Sequence, residues 1–175
     1  MMHLVTGGSA SGKSAYAEKL ALECEGEVRF YVATMRPWGE EGRLRVERHR
    51  KLREGKQFVT VECCSGLEHL ELSAPGNCTV LLECISNLVA NEQFEVGGAD
   101  REIYTRIEDG IRYLQKQAGD IIIVTNEVFS DGCAYGPETL RYIRLLGKVN
   151  RDLAAMADRV TEVVCGIPLP VKYQG

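Results

Sequence analysis

Apolar positions along this chain fall into short runs that alternate with stretches of helical spacing. His3 to Thr6 is a short apolar strand candidate that runs into Gly7-Gly8, and Lys13 to Cys24 follows with Ala17, Leu20 and Ala21 on one helical face. Val28 to Ala33, rich in β-branched and aromatic residues, reads as a second strand. Arg36-Pro37-Trp38-Gly39 reads as a loop, and Glu40 to Arg53 as a charged helix ended by Gly55. Phe58 to Val61 is a short strand. Val80-Leu81-Leu82 and Ile121 to Val124 are continuous apolar runs, the pattern of strands buried on both faces. A helix starts near Ser86 and is broken at Gly97-Gly98. Arg101 to Gln117 carries Ile103, Ile107, Ile111 and Leu114 in register. Pro137 to Ala157 carries Leu140, Ile143, Leu146, Val149 and Leu153 on one stripe, and Val160 to Val164 closes the pattern as a last strand. Strands alternating with helices predict an α/β fold, a mostly parallel sheet with helices on both faces. No repeat or interdomain linker interrupts it, so one domain over residues 1–175 is expected.

Composition changes this picture little. Hydrophobic residues make up 45% and charged residues 26%, as in ordinary globular domains. No apolar run approaches the roughly 20 residues that cross a bilayer, and the N-terminus lacks a signal-peptide pattern, so a cytoplasmic location is expected. The net charge of −4 argues against a general nucleic-acid binder. Charge is nevertheless uneven: Arg43, Arg45, Arg48, Arg50, Lys51, Arg53 and Lys56 face only Glu47 and Glu54 within one segment. The seven cysteines include no CxxC pair, which leaves metal-ligand spacing missing and reduced, mostly buried thiols as the expectation.

The strongest chemical signal is Gly7-Gly8-Ser9-Ala10-Ser11-Gly12-Lys13-Ser14, which fits G-x-x-x-x-G-K-[ST] at every fixed position. A strand precedes it and a helix follows it, the context this phosphate-binding loop requires. Glycines let backbone N–H groups curl around phosphate oxygens, and the helix start adds partial positive charge. Lys13 is placed to reach the β and γ phosphates of a nucleotide, and the Ser14 hydroxyl to ligate Mg²⁺.

Two further residues carry candidate chemistry. Glu83 ends the strand Val80 to Leu82, where a carboxylate can approach the metal, bind a sugar or a base, or simply meet solvent. His49 shares a helical face with Arg45 and Arg53. Guanidiniums on that face push an imidazole pKa down, which gives a neutral nucleophilic ring, and they can clasp a polyphosphate. A solvated basic helix with an incidental histidine has the same sequence pattern.

Taken together, these segments resemble the bifunctional adenosylcobinamide kinase / adenosylcobinamide-phosphate guanylyltransferase family of cobalamin biosynthesis. The resemblance runs through Leu4-Val5-Thr6-Gly7-Gly8, Ser11-Gly12-Lys13-Ser14 and Tyr31-Val32-Ala33-Thr34. It continues in Arg45-x-x-x-His49-Arg50-x-x-Arg53, in Leu81-Leu82-Glu83-Cys84 with Asn91 beyond, and in Val124-Thr125-Asn126-Glu127-Val128. Gly147-x-x-Asn150, Leu153-Ala154, Ala157-Asp158 and Gly166-Ile167-Pro168-Leu169 complete it. Ala10 stands where the family usually carries arginine, and 129–137 departs from the family's glycine-rich stretch.

The resemblance implies a RecA-like P-loop domain and a homo-oligomer, a trimer by likeness. GTP or ATP with Mg²⁺ and a corrinoid would be its small-molecule partners. It implies that His49 becomes guanylylated and that Lys13 serves the kinase step. Thr34, Met35 and Arg36, with Arg50, Lys51, Leu52 and Arg53, would lie near the nucleotide, and Glu62 and Glu83 would contact it. Rival expectations are a member with guanylyltransferase activity alone or an altered substrate, and a GTP-binding regulatory module without turnover.

Overall fold

The computed structural model describes residues 1–37, 55–128 and 134–173, together with Gly39, Glu40, Gly42, Leu44 and Glu47. Most of the basic segment around His49, and 129–133 in the departing stretch, lie outside the described residues.

Seven strands form one sheet: β1 (Met2–Thr6), β2 (Val28–Ala33), β3 (Phe58–Glu62), β4 (Cys78–Glu83), β5 (Asp120–Val124), β6 (Arg159–Val164) and β7 (Ile167–Tyr173). Their order is β3-β2-β4-β5-β1-β6-β7. All neighbours are parallel except β7, which returns antiparallel beside β6. The described helices of more than one turn are α1 (Lys13–Glu23), α2 (Ile85–Asn91), α3 (Asp100–Gln117) and α4 (Pro137–Met156), with Glu92–Val96 continuing α2 in wider turns.

The apolar runs become the middle of the sheet. Val80, Leu81, Leu82, Ile122, Ile123 and Val124 are fully buried, because helices cover both faces. On one face Ile103, Ile107, Ile111 and Leu114 of α3 and Leu146, Val149 and Leu153 of α4 pack over Leu4, Val80, Leu82 and Ile123. On the other, Ala17 and Ala21 of α1 lie against Val5, Leu81, Ile122 and Val124. Small side chains let α1 sit close to the strands, and this closeness brings its N-terminus to the strand ends.

Two expectations need correction. The pattern does not end at β6: Ile167–Tyr173 forms a seventh strand. Pro168 and Pro170 obscure it in sequence, and both are tolerated because the strand lies at the sheet edge. Leu140 does not share the buried stripe of α4 and stays 42% exposed. The first turn of α4 overhangs the core, and Leu145 takes a buried place lower down instead.

Candidate nucleotide site

Residues 7–12 link β1 to α1, and their shape depends on two glycines. Gly7 has φ +154°, and a Cβ there would stand 2.5 Å from the Val163 carbonyl oxygen. Gly12 is left-handed at φ +93°, and a Cβ would come within 3.2 Å of Gly166 Cα. The β6–β7 turn therefore presses directly on the loop, and the Gly166 N–H donates to the Ser11 carbonyl at 2.8 Å. On the opposite side the Glu127 N–H donates to the Gly7 carbonyl at 3.1 Å. The loop is held from both flanks by backbone, while α1 opens at Lys13 with first-turn N–H groups that a helix cannot satisfy itself. Such a terminus attracts anions.

Lys13 is 8% exposed, and its ammonium donates to the Gly8 carbonyl at 3.0 Å. Burial lowers its pKa from the ordinary lysine value, with Cys84 and Glu83 acting in the opposite sense. One residue further along α1, the Ser14 hydroxyl donates to Glu83 Oε1. Glu83 Oε2 accepts from the Tyr31 hydroxyl at 2.8 Å. A lysine, a hydroxyl and a carboxylate from α1 and β4 thus meet above the sheet. Hard oxygen donors at one place suit Mg²⁺. Among the described residues no cluster of three or more His, Cys, Asp or Glu could hold a metal alone. An ion here would take its remaining ligands from phosphate and water.

Residues 3–171 match the family described as cobinamide kinase / cobinamide phosphate guanyltransferase. The chain belongs to this family. It is 36% identical over 187 residues to the bifunctional adenosylcobalamin biosynthesis protein CobU of Escherichia coli, covering 98% of this chain and 100% of that protein. It is 30% identical over 177 residues to the bifunctional adenosylcobalamin biosynthesis protein CobP of Pseudomonas aeruginosa, covering 98% of each. Solved structures share the fold at lower identity. A prototypical ATPase from the type III secretion system of pathogenic bacteria has a TM-score of 0.53 at 12% identity, over 92% of this chain and 50% of that one. The flagellar accessory protein FlaH of Methanocaldococcus jannaschii has a TM-score of 0.50 at 16% identity, over 99% and 78%. These neighbours show the P-loop ATPase fold.

Within this family fold, sheet register decides which expected residues come together. Ala33 pairs with Glu62 on one side and Glu83 on the other, and Glu83 pairs with Val124. Glu62 and Glu83 therefore end strands at the same level, on either side of β2. The next residue of β2's path, Thr34, is fully buried. Its hydroxyl accepts from the Cys84 N–H at 2.7 Å and donates to the Cys84 carbonyl at 2.8 Å. Thr34 thereby locks the turn after Glu83. Met35 is half-buried, and Arg36 is exposed with its guanidinium 2.6 Å from Glu95. His49, Arg50, Lys51, Leu52 and Arg53 lie outside the described residues.

Several polar residues of the site carry no role in the sequence reading. Tyr31 supports Glu83 from within a strand, where its aromatic ring reads only as core. Asn126 donates to the Ser86 hydroxyl, and Thr125 donates to Asn150 Oδ1 at 2.7 Å, which ties the end of β5 to α2 and α4. Their signal is the polar Thr125-Asn126 directly after an apolar strand, a position that points into the crevice at strand C-termini.

Proposed function

We propose that this chain phosphorylates adenosylcobinamide and then transfers GMP from GTP to adenosylcobinamide phosphate, giving adenosylcobinamide-GDP. The observation that carries this reading is the convergence of Lys13, Ser14 and Glu83 at one phosphate loop, in a chain whose family assignment covers nearly its whole length. In the kinase step the aminopropanol hydroxyl attacks the γ-phosphorus and the nucleoside diphosphate leaves. The chain's contribution is positioning and charge neutralisation: the loop N–H groups and Lys13 hold the phosphates, and Glu83 orients Ser14. Mg²⁺, held by Ser14 and Glu83 together with the nucleotide, would neutralise phosphate charge.

In the second step a ring nitrogen of His49 attacks the α-phosphorus of GTP, a P–N bond forms and pyrophosphate leaves. The substrate's phosphate oxygen then attacks the same phosphorus, and the P–N bond breaks. Arg50, Lys51, Leu52 and Arg53, together with Thr34, Met35, Arg36 and Glu62, would contact the nucleotide. A homo-oligomer, a trimer by likeness, is supported by β7, where Ile167, Leu169, Val171 and Tyr173 are exposed on an edge strand. No described helix is long and apolar enough to cross a membrane, and a cytoplasmic location completes the reading.

Incubation with adenosylcobinamide and either α-labelled or γ-labelled GTP tests both steps. Label from both positions should reach the corrinoid. Corrinoid labelled from neither position, under conditions where GTP binds, would overturn the assignment.

A further inference from the structure

Beyond the strand ends, the structure holds a lateral string of side-chain hydrogen bonds that adds to the last backbone contacts between the strands. Its centre is Asn91, the last residue of α2, which is 7% exposed. One side-chain nitrogen donates to two carbonyls, Thr34 O at 2.8 Å and Cys64 O at 2.8 Å. Two carbonyl acceptors require an NH₂ group, so the amide orientation is fixed by chemistry. From Thr34 the string continues to both backbone groups of Cys84. The neighbouring Glu92, 1% exposed, accepts from the Gly66 N–H at 2.9 Å and from Arg106 Nε at 2.8 Å. Consecutive residues of one helix thus grip a carbonyl and an N–H of the same loop.

The placement matters because of what the two gripped loops carry. The first, after β2, contains Thr34, Met35 and Arg36. The second, 63–66, directly follows Glu62. The helix that grips them begins two residues after Glu83. One helix therefore runs from two residues beyond the carboxylate beside Ser14 to the gap between these loops. The strands themselves stay paired without Asn91, since the Thr34 N–H donates to the Glu83 carbonyl at 3.0 Å and the Cys63 N–H to the Ala33 carbonyl at 2.9 Å.

The geometry points to Asn91 as a positioning residue that sets the gap between the loop carrying Arg36 and the loop that follows Glu62, and so governs binding of the nucleoside portion of GTP separately from its phosphates. This inference rests on the nucleotide-site reading above. It assigns phosphate binding to the loop at 7–14 and nucleoside binding to a frame held by α2.

The test compares GTP with inorganic tripolyphosphate by calorimetry in wild type, Asn91→Ser and Asn91→Ala, with thermal melts as the fold check. Serine keeps one donor and alanine none. Expected is a graded loss of GTP affinity, about tenfold in Asn91→Ala and less in Asn91→Ser, with tripolyphosphate affinity unchanged in both. Equal losses for the two ligands, unchanged GTP affinity, or loss of folding in both variants would overturn the inference. If wild type bound GTP but not tripolyphosphate, the separate phosphate site would be refuted. If it bound neither, the nucleotide-site reading beneath the inference would fall first.

Discussion

Ser14, in the first turn of α1, gives its hydroxyl hydrogen to Glu83 at the end of β4, although β5 separates β4 from the strand that leads into α1. The contact ties the phosphate loop to the strand two places away and faces two oxygen donors at one point. Removing the carboxylate charge should weaken the response to magnesium more than nucleotide binding itself. In Glu83→Gln the gain in GTP affinity on adding Mg²⁺ should shrink about tenfold relative to wild type, measured by calorimetry with magnesium and with EDTA. An unchanged magnesium increment would leave Glu83 as a strand-end carboxylate only.

Lys13 should matter through charge. Lys13→Ala should lose about 1.5–3 kcal/mol of triphosphate affinity, the magnitude of a charge-assisted hydrogen bond. The melting temperature should change little, because the loop is held by the backbone contacts of Gly166 and Glu127. Titration with GTP checks the first statement and calorimetric melting the second.

Much of this site was legible because its signals are local. Gly7 to Ser14 identifies itself from eight consecutive residues, and the buried runs at Val80 to Leu82 and Ile121 to Val124 announce their strands. Asn91 and Tyr31 stand in the segments that carry the resemblance, but their roles were not legible, since these depend on which carbonyl or carboxylate the sheet register brings beside them. β7 was missed for a different reason: two prolines interrupt its pattern, and only the antiparallel return beside β6 shows that a strand at the sheet edge accommodates them. Leu140 fits the helical period, but periodicity cannot say where a helix outruns the sheet beneath it.

His3 gives the protein an acid sensitivity. Burial, with a smaller contribution from Arg159, lowers its pKa from 6.5 to about 4. Its Nε2 lies 2.8 Å from Thr161 Oγ1, and its Nδ1 has no partner. Above pH 6.5 the ring is neutral in folded and unfolded chains alike. As pH falls from 6.5 towards 4 the unfolded chain gains the proton and the folded one does not, so stability drops by about 3 kcal/mol in total. Chemical denaturation between pH 7 and 4 should show a steeper decline in wild type than in His3→Gln. Parallel slopes would remove His3 as the cause.

The exposed face of β7 predicts association. Ile167, Leu169, Val171 and Tyr173 are exposed on this edge strand; Ile167 and Leu169 share one side, and the register shift between Pro170 and Lys172 puts Tyr173 opposite Arg159 on the other. Wild type should sediment as an oligomer, and the double substitution Leu169→Lys with Val171→Lys should shift it toward monomer. A monomeric wild type at micromolar concentration would refute the oligomer.

Guanylyl transfer through His49 is the central claim, and intact mass measures it most directly. Wild type incubated with Mg-GTP and then denatured under alkaline conditions should gain the mass of one GMP, in a bond that acid cleaves and base does not, as befits a P–N linkage. His49→Asn should show no adduct while still binding GTP. An adduct that persists in His49→Asn, or no adduct in a wild type that binds GTP, would contradict the mechanism.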